Sequence, residues 1–441
     1  MPRISVTFRK VFSGGYLSIQ TFLDSFNVTT GAIGSTIVRT GYGFQPKAFI
    51  IWCSGRTEAV DTVGAFSQAM ALGFGTSTTQ RVSVGVHSED NAAAGDADTE
   101  TTVVACLVVA ATAGAVDGLL DISTIDADGI TFIIDDQFTK NVRVFVLAFG
   151  GDSISNAKAG NFVKNADALN QTVTDPGFQP TIVFFVTGRA AAGGTASMLT
   201  IGAAISSAKQ GVLCSAAADG DATMETKRYC NDIECIARFS AGVTSITHRA
   251  TFVQMEATGF TIDNIESPET LTVGYLAIAG GDWDMGNLLT RTDGNDIVVS
   301  GLAFQPNGLF FFSHGTAESV ADTPQDHDMK SVGAAVSPTS RGSQAMSDQD
   351  ALADSEVAAG IMFDAVYHRL DFADGTAGIM DLKSIETTGF TTVMDDLDPD
   401  AAFVLWVACG NVAAAAATDP ALLHYNLSNQ LRRHRVEMVP M

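Results

Sequence analysis

Basic residues are scarce in this 441-residue chain, which has 25 lysines and arginines against 49 aspartates and glutamates. The net charge of −24 at pH 7 repels phosphate backbones, so we expect no binding to nucleic acid. Cysteines are few as well, and no pair has the two-residue spacing typical of a zinc ribbon. We therefore predict buried free thiols, which suit assembly in a reducing cytoplasm, at Cys53, Cys106, Cys214, Cys230, Cys235 and Cys409.

Long apolar runs and catalytic motifs are also missing. The longest apolar stretch, residues 103–120, is interrupted by glycines and an aspartate, so no membrane span is expected. The N-terminus has no apolar segment of the kind that signal peptides carry. Neither a GxSxG nucleophile turn nor a phosphate-binding loop occurs, and we expect neither enzymatic activity nor a cofactor.

What the sequence does contain is a threefold repeat. Phe-Gln-Pro occurs three times, each time before an apolar and aromatic run, with its phenylalanine at Phe44, Phe178 and Phe304. A Gly-(Ile/Phe)-Thr segment follows in each copy, and its evenly spaced glycines are Gly129, Gly259 and Gly389. A third landmark closes each copy at the same regular interval, at Gly150, Gly280 and Gly410. Three landmarks in the same order indicate a triplicated domain.

Each copy contains eight or nine short segments rich in Val, Ile, Thr and Phe, separated by turn residues. This pattern predicts an all-β fold of three tandem jelly-roll-like β-sandwich domains that form a pseudo-trimer, with an immunoglobulin-like sandwich as the alternative. The strand after Phe-Gln-Pro is apolar on both faces, as expected for a central strand under a covering loop. The predicted repeats are residues 25–152, 153–282 and 283–412, with linkers at 152–160 and 282–287 and arms at 1–24 and 413–441.

Clusters of acidic residues and histidines are the candidates for chemistry. Four aspartates flank one hairpin of the first copy, and their oxygens could bind Ca²⁺ or act as an acid–base pair: Asp126, Asp128, Asp135 and Asp136. They change between copies and lack EF-hand spacing, so we interpret them as a solvated turn. We interpret His314 and the run Asp326-His327-Asp328 as a surface loop of the third copy. The remaining strand histidines lack acidic or cysteine partners at ligand spacing, so no metal site is predicted at His87, His248 or His368.

The two ends of the chain are the most informative charged segments. Basic and alternating apolar residues occupy the N-terminal arm, at Arg3, Ile4, Val6, Phe8, Arg9 and Lys10. The C-terminal arm combines an i, i+4 leucine pair with a basic cluster, at Leu427, Leu431, Arg432, Arg433 and Arg435. Basic arms on an acidic body predict docking onto a partner subunit, and the alternating pattern could add a strand to a sheet edge.

The landmarks also resemble a known class of protein. The Gly-Phe-Gln-Pro turn, the aromatic strand, the Asp-Gly-Ile-Thr hairpin and the Ala-Phe-Gly-Gly ending resemble repeat modules in virion proteins of tailed bacteriophages, especially marine ones. The resemblance covers the three repeats, and its motifs are structural rather than catalytic. It implies a module that decorates capsids or builds tail appendages. The second copy departs most, since it replaces Trp52 and the acidic hairpin, so a ligand site of the first copy would be lost there.

We therefore expect a virion structural protein, most simply a decoration or cement protein on the virion surface. Its partner would be the major capsid protein, another virion subunit or a second copy of itself. The alternative is a tail fibre or other tail-associated protein that binds a receptor or carbohydrate on its loops. The scarcity of tryptophan, with Trp52 and Trp406 in apolar strands, disfavours that alternative.

Overall fold

The computed structural model describes residues 18–55, 62–65, 68–90, 92, 96–189, 196–220, 222–317, 323–371 and 375–411. Within these ranges the chain forms antiparallel β-sheets, one 3-10 turn at Thr112–Gly114 and no α-helix. The predicted all-β fold of sandwich repeats is confirmed. None of the described segments forms a helix with the length and apolar character that crossing a bilayer requires.

The described residues of repeat 1 form eleven strands, including one short strand that leaves its own sheets. They are β1 (Gln20–Val28), β2 (Thr36–Thr40), β3 (Pro46–Ser54), β4 (Thr62–Ala65), β5 (Gln68–Ser77), β6 (Gln80–Ser88), β7 (Ala97–Thr102), β8 (Leu107–Ala111), β9 (Ala115–Asp126), β10 (Gly129–Asp136) and β11 (Val142–Gly150).

Repeat 2 follows directly and contains ten described strands. They are β12 (Ile154–Lys164), β13 (Asn170–Val173), β14 (Ile182–Thr187), β15 (Ala196–Ser206), β16 (Lys209–Ala218), β17 (Thr226–Asn231), β18 (Ile236–Phe239), β19 (Ile246–Glu256), β20 (Gly259–Glu266) and β21 (Leu271–Gly280).

Repeat 3 again has eleven strands in the part of the chain that the structure describes. They are β22 (Asp282–Leu289), β23 (Ile297–Ser300), β24 (Gln305–Ala317), β25 (Gln325–Asp326), β26 (Asp328–Ser337), β27 (Ser340–Asp348), β28 (Val357–Met362), β29 (Tyr367–Leu370), β30 (Thr376–Glu386), β31 (Gly389–Asp396) and β32 (Ala402–Asn411).

Every repeat is a sandwich of one large and one small sheet with the same strand order. In repeat 1 the large sheet has the order β1-β11-β3-β5-β6-β7 and the small sheet β2-β10-β9-β8. Repeats 2 and 3 reproduce both orders, each with a seventh strand at the edge of the large sheet. Four consecutive strands of the large sheet run as hairpins, whereas a jelly roll is built from Greek keys. The jelly-roll description therefore holds for the two-sheet layering but not for the connections.

The junctions between repeats differ from the predicted linkers. The strand β11 ends at Gly150 and β12 begins at Ile154, while β21 ends at Gly280 and β22 begins at Asp282. Most residues assigned to linkers are therefore the first strands of the next sheet. Residues 20–24, assigned to the N-terminal arm, likewise lie in β1, because they pair with β11.

Each large sheet is buried on both faces, and its alternate residues enter two different cores. In β3, Phe49, Ile51 and Cys53 point into the core of repeat 1. Their neighbours Ile50 and Trp52 point the other way, into a core that residues of all three repeats share. The second face is therefore covered by the other two repeats, whereas the sequence analysis predicted a covering loop. Strands buried on both faces read as continuous apolar runs, which explains the segment after Phe-Gln-Pro.

Aromatic rings from the three repeats meet in this shared core. Phe310 of repeat 3 makes edge-to-face contacts with Trp52 of repeat 1 at 6.0 Å and with Phe184 of repeat 2 at 6.1 Å between ring centroids. Phe184 also lies 6.4 Å from Phe74 of repeat 1. Residues 17–411 consequently form one compact unit.

The repeats also exchange strands in a cyclic order. The strand β4 of repeat 1 pairs with β28 of repeat 3, and β25 of repeat 3 pairs with β17 of repeat 2. Turns follow the same order: Ala92 of repeat 1 bonds Ser355 of repeat 3, and Leu352 of repeat 3 bonds Met224 of repeat 2. The cycle closes where Asp219 of repeat 2 accepts the backbone N–H of Ala97 in repeat 1 at 3.3 Å. The described contacts therefore follow a pseudo-threefold arrangement.

Glycine and a large residue face each other at all three interfaces between repeats. A Cβ atom at Gly342 of repeat 3 would lie 2.3 Å from the ring of Phe145 in repeat 1. A Cβ at Gly211 would similarly lie 2.6 Å from Leu405, and one at Gly274 would lie 2.6 Å from Val82. Each interface thus has its own large–small pair, so the three interfaces are not interchangeable.

Close packing also explains the repeated landmarks. A Cβ at the Gly-(Ile/Phe)-Thr glycines would lie within 2.0 Å of a backbone carbonyl oxygen of the neighbouring strand, at Arg39, Val173 and Val299 respectively. The closing glycines Gly150 and Gly410 lie under the rings of Phe44 and Phe304, where a Cβ would come within 2.4 and 2.6 Å. Phe44 and Phe304 are buried and Phe178 is half-buried against the core of repeat 2. All six cysteines are buried and free, as predicted.

Replacing Phe184 by alanine should reduce the free energy of unfolding by about 3–5 kcal/mol, since its ring contacts both other repeats. The shared core should also make all three repeats unfold together. Urea titrations followed by tryptophan fluorescence and by far-UV circular dichroism should therefore give one coincident transition. Ile33→Ala, at a side chain 63% exposed, is the control and should change little. Separate transitions for the two probes would contradict the shared-core interpretation.

The large–small pairs predict compensation. Gly342→Ala should cost more than about 1 kcal/mol because its methyl group would collide with Phe145. In a Phe145→Leu background the same change should cost at least about 0.5 kcal/mol less, and a double-mutant cycle measures this coupling. Gly242→Ala is the matched control, since nothing lies within 4 Å of its Cβ position. If the two changes have additive effects on the free energy of unfolding, the contact with Phe145 is not the cause of the cost of Gly342→Ala.

Candidate functional site

The predicted docking residues lie at the ends of the chain, outside the residues that the structure describes: Arg3, Ile4, Val6, Phe8, Arg9, Lys10, Leu427, Leu431, Arg432, Arg433 and Arg435. Their participation in an interface stays a prediction.

The described chain begins and ends at one place on the unit. The backbone N–H of Ile19 donates to Oδ1 of Asn411 at 2.7 Å, and the side-chain amide of Asn307 donates to the carbonyl oxygen of Ile19 at 2.9 Å. An open groove of about 600 Å³ runs beside this junction, between repeats 1 and 3. Its lining is mixed, with Thr21, Tyr42, Phe44, Gln305, Pro306 and Ile385 among its residues. The first and last described residues, Ser18 and Asn411, therefore both line this groove.

The acidic hairpin of repeat 1 holds a turn together. The carboxylate of Asp128 accepts the backbone N–H groups of Gly41 and Gly43 at 3.1 and 2.6 Å. The carboxylate of Asp126 accepts the hydroxyls of Thr124 and Thr131. Glu256 and Glu386, at the equivalent positions of repeats 2 and 3, bond threonine hydroxyls in the same way. These contacts support the interpretation of a solvated turn over that of an acid–base pair.

The surface-loop interpretation of the third copy's histidine region is wrong for two of its members. His314 lies on β24 and Asp328 on β26, and both are fully buried. Asp326 instead belongs to the exchanged strand β25 and forms an ion pair with Lys227 of repeat 2 at 2.7 Å. The sequence could not reveal this placement. A polar segment that pairs with another repeat has the same kind of composition as a polar surface loop.

One end of the shared core is polar. Asp328 and Lys330 form an ion pair that is fully buried. Asp348, directly opposite Asp328 in the sheet, is also fully buried and faces Ser88 of repeat 1. Burial, together with the carboxylate of Asp328, raises the pKa of Asp348 to about 8. The ion pair with Lys330 and the raised pKa of Asp348 both reduce the charge that this buried cluster carries.

A second polar group lies inside the sandwich of repeat 1. His87 on β6 stands directly opposite Asp98 on β7, and Asp96 precedes that strand. The candidate ligand atoms of the three residues all lie within 4.8 Å of one another. Burial lowers the pKa of His87 to about 4, so its imidazole is neutral at pH 7. The prediction that His87 lacks acidic partners is therefore wrong, because the register of the hairpin brings residues together that are well separated along the chain.

Comparison with models of known protein families gives no match, and a search of curated proteins gives none either.

Replacing Asp348 by asparagine should flatten the dependence of stability on pH. Between the unfolded pKa near 4 and the folded pKa of about 8, the folded protein holds one proton more than the unfolded chain. This group therefore lowers the free energy of unfolding by about 1.4 kcal/mol for each unit by which the pH rises. Asparagine does not titrate, so urea titrations between about pH 5 and about pH 8 should show a smaller decline.

The matched control for this measurement is Asp135→Asn, which removes an exposed carboxylate. It should leave the slope of the wild-type profile unchanged. Parallel profiles for the wild type and the Asp348 variant would mean that this carboxyl group does not hold the proton.

Proposed function

We propose that this chain is a structural protein of a tailed-bacteriophage virion, which docks as a decoration or cement protein on the major capsid protein. The observation that carries the proposal is the pseudo-threefold unit: three repeats share one core, two strands pair with the sheet of another repeat, and a hydrogen bond between repeats 2 and 1 completes the cyclic order. Such a unit presents three similar faces around an axis, and a single chain of this form matches a threefold or quasi-threefold position on a shell.

The position of the chain ends supports docking at one place. Ile19 and Asn411, near the two ends of the described chain, are hydrogen-bonded to each other. Exposed ion pairs contribute only about 0–1 kcal/mol each, so apolar residues of the basic terminal segments must bury surface as well. The groove between repeats 1 and 3 offers a partner subunit an uneven surface beside these two residues.

The acidic charge of the chain favours a partner contacted through its basic ends. A net charge of −24 makes repulsion from other acidic surfaces strong, and it keeps the protein soluble during assembly in the host cytoplasm. Arg3, Arg9 and Lys10 reverse this charge locally, which suits an acidic patch on a capsid subunit.

Neutralising the basic ends should reduce incorporation into particles. We expect Arg3, Arg9 and Lys10→Gln, or Arg432, Arg433 and Arg435→Gln, to leave the folded unit intact and reduce its occupancy. Cryo-electron microscopy of particles assembled without the protein and then supplied with each variant measures that occupancy. The matched control substitutes three exposed basic residues of the repeats, Lys209, Arg291 and Lys383, which form local ion pairs.

Full occupancy by the unit lacking both ends would place the binding face on the sandwiches instead. Density at the tail rather than on the shell would favour the alternative of a tail-associated receptor- or carbohydrate-binding protein.

A further inference from the structure

A partly open pocket lies at the end of the sandwich of repeat 1. It has a volume of about 290 Å³ and lies between the edge of the large sheet and the strands β8 and β9 of the small sheet. Its lining includes the ionisable residues His87, Glu89, Asp117 and Lys140, of which Lys140 is exposed. The cavity is large enough to hold several water molecules, so an ion could enter with part of its hydration shell.

Three potential metal ligands converge beside this cavity. His87, Asp96 and Asp98 each place one nitrogen or oxygen atom within 4.8 Å of the others. A zinc ion holds such ligands at about 2.0–2.2 Å, so its ligand atoms are at most about 4.4 Å apart. Small side-chain rotations are therefore sufficient to bring all three atoms into coordination.

Two of these side chains are buried with polar atoms that lack partners. His87 and Asp98 are each only 4% exposed. Among the described residues, Nδ1 of His87 has no hydrogen-bond partner, and neither has Oδ2 of Asp98 apart from the contacts of its carboxyl group with Asp96 and the backbone of Gly114. A buried polar atom without a partner costs about 1–3 kcal/mol, and a bound ion would remove this cost. Asp117 does not serve the same purpose, because its carboxylate already accepts from Thr139.

The other repeats lack these ligands at the equivalent positions. The same register that pairs His87 with Asp98 pairs Ala216 with Lys227 in repeat 2 and Ser347 with Ala358 in repeat 3. The fold therefore does not require a histidine or an aspartate here. The polar pair is a feature of repeat 1 alone, which points to a role beyond holding the sandwich together.

We propose that His87, Asp96 and Asp98 form a binding site for a divalent transition-metal ion of the Zn²⁺ class, with water from the cavity completing the coordination. One imidazole and two carboxylates are common ligands for Zn²⁺. Ca²⁺ is a poorer match because it prefers six to eight oxygen ligands. This proposal is independent of the proposed virion function.

The ion would strengthen a contact between repeats. Asp96 and Asp98 flank Ala97, whose backbone N–H donates to Asp219 of repeat 2 at 3.3 Å. The N–H of Glu89 bonds the carbonyl oxygen of Asp96 at 2.8 Å and closes the same turn. Coordination would hold β6, β7 and this turn in one position, so metal binding should raise the melting temperature of the whole unit.

The test uses the full-length chain, stripped with a chelator and kept in a phosphine reductant that protects the six free thiols. Titration with ZnCl₂ in a calorimeter should show one saturable site, and thermal melts should shift upward. Asp98→Asn, which preserves side-chain volume, should weaken binding at least 10-fold, and His87→Gln should do the same. Asp135→Asn/Asp136→Asn, in the acidic hairpin, is the matched control and should bind as the wild type does. Co²⁺ substituted for Zn²⁺ should give visible absorption bands that the Asp98 variant lacks.

Several results would overturn the proposal. They are the absence of saturable binding, an affinity that Asp98→Asn leaves unchanged, and a preference for CaCl₂ over ZnCl₂. Because Asp98→Asn keeps the shape of the side chain, it decides the question even if His87→Gln does not fold. Weak binding at several sites that the hairpin variant also reduces would identify adventitious ions on an acidic surface.

Discussion

Burial of the second face of each large sheet is the interaction on which the rest of this structure depends. Residues such as Trp52, Phe184 and Phe310 have no place in the sandwich of their own repeat, and they are covered only when the three sheets meet. Apolar surface of this extent cannot remain in water, so the repeats assemble around it. The strand exchanges of β4 and β25 then pair sheet edges that would otherwise be open.

A single chain can make three interfaces that a homotrimer must keep identical. The pairs Val82–Gly274, Gly211–Leu405 and Gly342–Phe145 occupy equivalent positions at the three interfaces. They differ in which of the two positions holds the glycine and which holds the larger residue. Close packing tolerates this because only the sum of the two volumes matters at each contact. Such complementarity gives each repeat one correct neighbour on each side.

Divergence between the repeats has also concentrated polar groups in two places. The third repeat carries Asp328, Lys330 and Asp348 at the end of the shared core, where the first repeat has Gln68, Met70 and Ser88. The first repeat carries His87 and Asp98 inside its sandwich. Buried charges seldom stabilise more than apolar residues of similar size would, so these groups are better explained by specificity or by ligands than by stability. The docking proposal concerns the ends of the chain and does not depend on either cluster.

Local pattern and spacing determined the class of fold, the triplication and the burial of all six cysteines. The evenly spaced glycines are visible in the sequence because a Cβ there collides with a neighbouring strand in every copy. Only the tertiary structure decided what covers the outer face of β3, that the supposed linkers are strands, and that His314 and Asp328 are buried. It also placed His87 opposite Asp98, since strand register depends on where each hairpin turns. These features come from contacts between residues far apart in the chain, and the pattern of neighbouring residues does not predict such contacts.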